Sequence, residues 1–251
     1  IVDFLRGFRE IAIREIWLER AKDREDPARP RNYKLMVPIQ YQETVHCIAF
    51  LLNLLTQLDG SQSLPWQESL HIEGTSEPYR PPNPEDYAYQ VDGRVRGRMD
   101  FGKGGHVGGL TAHLQTDFKA GAGLHKRRRI AGTGDNCRFT IECDFLEGHK
   151  WLRINDIDQG ISPTQSSYAN VLKSLERWHT EGSLADCTTL QMPGARFARY
   201  TYLLSAALWE ACFTKAPVRF PAPADLGVYQ PAFPREWAEL KRRWPFRPAI
   251  A

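Results

Sequence analysis

The sequence predicts an α/β domain in which adjacent strands over 91–101 and 110–119 pack against a helix over 41–58. Three observations predict it. Residues 110–118 alternate, with Leu110, Ala112, Leu114, Thr116 and Phe118 on one side and Thr111, His113, Gln115 and Asp117 on the other, the period of a half-buried strand. Residues 91–101 alternate in the same way, setting Val95, Gly97 and Met99 against Arg94, Arg96, Arg98 and Asp100, and the run from Gly102 to Gly109 is rich enough in glycine for a hairpin turn. Residues 41–58 carry Val45, Ile48, Ala49, Leu52 and Leu55 at helical spacing and stop at Asp59-Gly60.

The remaining elements follow in chain order. Residues 1–22, with Phe4, Leu5, Phe8, Ile11, Ile16 and Leu18, are spaced for a helix within an N-terminal helical extension over 1–40. The charged, proline-bearing run 22–31 suits a solvated loop, and the prolines of 77–84 exclude helix there. A third strand is expected over 139–145, where Phe139, Ile141 and Cys143 alternate with Thr140, Glu142 and Asp144, and a fourth over 151–157. Helices are expected over 168–179, 196–212 and 236–244, the second apolar almost all round and so buried between layers. The proline-rich stretch 217–234 suits a loop.

Length and composition fit one medium domain: 251 residues, 42% hydrophobic and 25% charged, with a net charge of only +3. Positive charge is local instead, in Arg94, Arg96 and Arg98 and in His125-Lys126-Arg127-Arg128-Arg129. Such runs are solvated faces or phosphate contacts. Five scattered cysteines without a C-x-x-C spacing argue against a disulfide framework, a zinc ribbon or an iron–sulfur cluster, and point to a reducing, intracellular compartment, cytoplasm or nucleus. No apolar run reaches transmembrane length, so no membrane partner is expected. Ile1 is not a natural start, which leaves a longer parent chain or a missing leader.

Chemistry concentrates at the hairpin. Asp100 on one strand and Asp117 and Lys119 on the next form a trio that can bind a hard divalent cation and hold a water or phosphate oxygen. The plainer reading of Asp117 and Lys119 is a surface charge pair. Glu43 and His46 share one helix face, where His46 is either a ligand or a satisfied core histidine.

Four pieces in order resemble the RecB-type branch of the PD-(D/E)XK nuclease superfamily: a helix around Glu43-Thr44-Val45-His46, the strand Val95-Arg96-Gly97-Arg98-Met99-Asp100, the strand Thr116-Asp117-Phe118-Lys119-Ala120-Gly121, and a helix opening Arg196-Phe197-Ala198-Arg199-Tyr200. The resemblance covers residues 40–121 and the helix after 196. Two departures stand out: Arg196 occupies the family's glutamine position, and about seventy residues separate Lys119 from that helix. The resemblance implies a single domain over 1–251 with a restriction-endonuclease-like core, a central mixed sheet flanked by helices, and an insertion over 130–190. It implies a metal-dependent nuclease acting on nucleic acid, DNA foremost, working alone or within a larger complex. Asp100, Asp117, Lys119 and Glu43 would be catalytic. Asp100, Asp117, the Phe118 carbonyl and His46 would hold Mg²⁺ or Mn²⁺. Arg96, Arg98, Lys126, Arg127, Arg128, Arg129, Arg196 and Tyr200 would contact nucleic acid. Two alternatives stand beside it: a nuclease-fold module that only binds nucleic acid or a protein partner, and a non-nuclease α/β domain in which the match is chance.

Overall fold

The computed structural model describes residues 4, 13–21, 43–59, 66, 68–78, 92–102, 108–118, 127–134, 137–144, 151–160, 172, 176, 179–180, 195–227 and 229. Among the described residues nine strands belong to one sheet: β1 (Ile13–Ala21), β2 (Leu70–Pro78), β3 (Asp92–Asp100), β4 (Thr111–Asp117), β5 (Arg127–Gly134), β6 (Cys137–Asp144), β7 (Trp151–Ile154), β8 (Ile157–Asp158) and β9 (Val218–Phe220). Their spatial order is β8-β7-β6-β5-β1-β4-β3-β2-β9. β1 and β4 run parallel at the centre, and every other described pair is antiparallel. The sheet is therefore mixed, as expected, and β3 pairs with β4 as expected.

Two long helices, α1 (Val45–Asp59) and α2 (Ala195–Thr214), cover one face and touch each other. The strand periodicity sends Ile16 and Leu18 of β1, Ile72 of β2, Val95 and Met99 of β3, Ala112 and Leu114 of β4, and Ile130 of β5 to that face, all buried. Ile48, Leu51, Leu52 and Leu55 of α1 and Leu204, Ala207, Leu208 and Ala211 of α2 complete the core. α2 lies close over β2 and β3 because both strands carry glycine beneath it: a Cβ at Gly97 or at Gly74 would stand 2.8 Å from Leu208 Cδ1.

Several expectations are corrected. Residues 13–21 are a central strand, not part of a helix: Ile16, Leu18 and Arg20 are buried while Glu15, Trp17 and Glu19 face outward, a period of two. The basic run continues into β5, and part of the proline-rich tail is β9, paired with β2. β2 had no counterpart in the sequence reading. The stretch expected as an insertion over 130–190 contributes β5 to β8 to the same sheet, and most of it beyond residue 160 lies outside the described residues. The loop at 22–31, nearly all of the first twelve residues and the helix over 236–244 also lie outside them.

Candidate functional site

The sheet offers two candidate surfaces. The first is the carboxyl edge of the parallel pair, where β1 and β4 end and α1 begins. Crevices outside the carboxyl ends of parallel strands are where α/β sheets bind ligands, because helix N-termini and loops converge there. Thr44 and Thr116 share a hydrogen bond of 2.7 Å between their hydroxyls, which ties the start of α1 to the end of β4. Beside it, Arg20 Nε donates to Glu43 in an ion pair buried under the sheet. Burial pushes the thiol of Cys47, in the first turn of α1, up to about 12, with Arg20 and Arg128 opposing. His46, next to it in sequence, is exposed. On the outer side of the same edge, Asp117 accepts hydrogen bonds from Arg94 Nε at 2.8 Å and pairs with Nη2 at 2.7 Å. That pairing raises the guanidinium pKa above its ordinary value. An exposed imidazole in the first turn of α1 can hydrogen-bond a hydroxyl and exchange its proton.

The second surface is the open face, away from the helices. Register places Trp17, His113, Arg98 and Glu73 in one row across β1, β4, β3 and β2. A parallel row holds Arg153, Glu142, Arg129, Glu19, Gln115 and Arg96 from β7 to β3. Charges of opposite sign stand side by side, so each long side chain has a cross-strand neighbour. Trp17 stacks on His113 with ring centroids 3.8 Å apart and planes 9° from parallel. A depression of about 280 Å³ lies over this region.

The register decides the expected metal centre. Asp100 stands opposite Thr111 beside the turn, and Asp117 stands opposite Arg94 at the other end of the hairpin. Six residues of strand at about 3.3 Å each put roughly 20 Å between those ends. Asp100 is satisfied where it stands, accepting from Thr111 Oγ1 at 2.7 Å and Arg98 Nε at 3.0 Å. Glu43, through Arg20, and Thr44, through Thr116, join the start of α1 to the Asp117 end of the hairpin. Among the described residues, no cluster of three or more His, Cys, Asp or Glu could hold a metal ion. The expected Mg²⁺ or Mn²⁺ centre is corrected accordingly.

The other expected residues disperse. Phe118 is buried, its N–H bonded to Gly93 O at 2.8 Å. Arg96, Arg98 and Arg129 lie on the open face, Arg129 between Glu19 and Glu142 at 3.5 Å each. Arg128 turns inward over the Phe50 ring at 5.6 Å. Tyr200 meets Trp66 edge to face. Arg127 and Arg196 begin β5 and the first turn of α2, and their side chains, with Lys119 and Lys126, lie outside the described residues. Sequence reasoning missed Trp17 and Arg20 because it placed them on a helix. The alternation through Ile16, Leu18 and Arg20 was the signal for a strand.

No protein-family model matches the sequence, and no curated protein matches it. Solved structures do share the fold, and they are described as oxidoreductases and dehydrogenases. One is a levoglucosan dehydrogenase in complex with NADH, matched over 88% of this chain and 62% of its own, at 12% identity and a TM-score of 0.54. The same enzyme with NADH and L-sorbose matches over 88% and 61%, at 11% identity and 0.52. A structure described as a myo-inositol dehydrogenase from Sinorhizobium meliloti 1021 matches over 88% and 60%, at 12% and 0.54. The chain thus spans about three fifths of the length of these structures, and at such identities the likeness is one of fold. It overturns the restriction-endonuclease-like core and, with it, the nuclease assignment and the hydrolase chemistry drawn from that resemblance. Among the described residues no helix is long and apolar enough to cross a membrane.

Proposed function

We propose that this chain forms the sheet portion of an oxidoreductase acting on small polyhydroxylated compounds, with the carboxyl edge of β1 and β4 as its substrate-facing edge. The observation that carries the reading is the likeness to dehydrogenase structures over 88% of the chain, at TM-scores of 0.52 to 0.54. The ligands of those proteins, an anhydrosugar and a ketose, suggest the substrate class. Exposed His46 at the start of α1 is the group assigned to a substrate hydroxyl.

Those neighbours hold NADH, but the residues described here do not fit a dinucleotide. Such a site needs a glycine-rich turn from a strand into a helix beside parallel strands, so that backbone N–H groups can approach the pyrophosphate. The passage from β1 towards α1, residues 22–42, contains no glycine, and the glycine-rich run 102–109 joins antiparallel strands. No G-x-G-x-x-G occurs in the sequence. The reading therefore gives this sheet the substrate side and gives the nicotinamide to other structure. An intracellular setting fits three buried free thiols, Cys47, Cys143 and Cys212.

Saturation-transfer NMR with levoglucosan, L-sorbose and myo-inositol tests this. At least one should bind, and His46→Ala should weaken it about tenfold, the loss of one good hydrogen bond. Absence of binding by all three, or binding indifferent to His46, contradicts the reading.

A further inference from the structure

We propose that the open face of the sheet carries a separate binding site for a small ring compound bearing an oxyanion, either a carboxylate or a phosphate monoester. Trp17 would be its stacking platform, and Arg96 and Arg98 its anion clamp. This inference does not rest on the oxidoreductase reading, since it uses the face and not the edge.

Four observations carry it. The depression is lined by Trp17, Glu73, Arg96, Arg98, His113 and Gln115, among others. Trp17 is 44% exposed on a face otherwise built of charged and polar side chains, although its stack on His113 holds it in place. An aromatic ring so presented offers a flat apolar surface to another ring at little cost in side-chain entropy.

Each arginine is anchored through its Nε, Arg96 to Gln115 Oε1 at 3.3 Å and Arg98 to Asp100 Oδ1 at 3.0 Å. Arg98 is paired with Asp100 through Nε, and Arg96 has Glu77 at 3.9 Å; with five N–H donors each, both guanidinium groups keep donors for a further acceptor. A guanidinium fixed by Nε presents its fork ready-made for bidentate contact with a carboxylate or phosphate. Of the two acidic side chains lining the depression, Glu19 pairs with Arg129 at 3.5 Å, and Glu73 lies 3.4 Å from the His71 ring and opposite Arg98 in register.

Finally, His113 Nε2 is closed off from water and has no hydrogen-bond partner. Burial lowers the pKa of this ring, so it is neutral at pH 7 and can accept or donate a single bond. A ligand hydroxyl or ring heteroatom would supply that partner once a shift of the Arg98 or Trp17 side chain uncovers the nitrogen.

The test is a titration of the isotope-labelled protein, followed through indole and arginine Nε resonances at low salt. The probes are phenyl phosphate and benzoate, with inorganic phosphate and benzyl alcohol as single-feature controls. Saturable shifts at Trp17 and Arg98 are expected with the first two, and at least tenfold weaker binding of each control. Trp17→Ala and Arg98→Ala should each weaken phenyl phosphate about tenfold, with unchanged melting midpoints because both side chains are exposed. Arg98→Lys should recover only part, since it keeps charge and loses the fork. Absence of saturable shifts, or equal affinity in the Trp17→Ala and Arg98→Ala variants, overturns the proposal. So does sedimentation showing a dimer that Trp17→Ala dissociates, because a second copy would then occupy the face.

Discussion

At the scale of residues, a side chain's role here is set by what stands across from it. Glu43, expected as a catalytic carboxylate, faces Arg20 under the sheet. Removing one partner of a buried pair leaves the other charge desolvated, at a cost of about 3–5 kcal/mol, whereas replacing both by well-packed apolar groups costs far less. Glu43→Gln should therefore lower the free energy of unfolding by roughly that amount in chemical denaturation, and the double variant Arg20→Met with Glu43→Leu should recover most of it. A loss below about 1 kcal/mol for the single change would show that the pair is solvated. Asp100 and Asp117 teach the same lesson. The alternation and the turn were legible in the sequence, and a hairpin closed by 102–109 already puts Asp100 opposite Thr111 and Asp117 opposite Arg94. Residue counts on either side of the turn are enough to separate the two carboxylates. What could not be counted is that Glu43 would find Arg20, because that contact joins two elements whose packing no local pattern states.

Among elements, the clearest were those with one unambiguous period. α1, α2, β3, β4, β6 and β7 lie where apolar spacing placed them. β1 was ambiguous because Trp17 sits between Ile16 and Leu18, and three consecutive apolar residues satisfy either period. β5 was hidden by arginines on both its faces, since Arg128 covers its charge by lying over Phe50 of α1. Gly97 was visible as a break in an apolar row, but its reason is α2. With a Cβ there only 2.8 Å from Leu208 Cδ1 and 3.0 Å from Cδ2, Gly97→Val should push α2 from the sheet. Overpacking of this kind costs about 1–3 kcal/mol. Gly227→Ala is the control, because nothing lies within 4 Å of its Cβ position and no loss is expected. Equal denaturation midpoints for the Gly97→Val variant and wild type would mean that α2 does not pack as described.

On the scale of the whole molecule, the decisive feature is the parallel pairing of β1 with β4, which brings Glu15 beside Thr111 and ends both strands at one edge. Local pattern cannot show such a pairing, because residues far apart in sequence leave no periodic trace of each other. Without it, the β3–β4 hairpin and the helix bearing His46 suited a nuclease. With it, they belong to a nine-stranded sheet among the described residues, in a chain whose fold resembles that of dehydrogenase structures. The central proposal is that a polyhydroxylated compound binds at the carboxyl edge. The most direct test is a backbone amide shift map of the protein titrated with levoglucosan. Shifts centred on Thr44 to Cys47 and Thr116 to Phe118 are predicted. Shifts confined to the open face around Arg96, Arg98 and His113, or none at saturating concentrations, would contradict it.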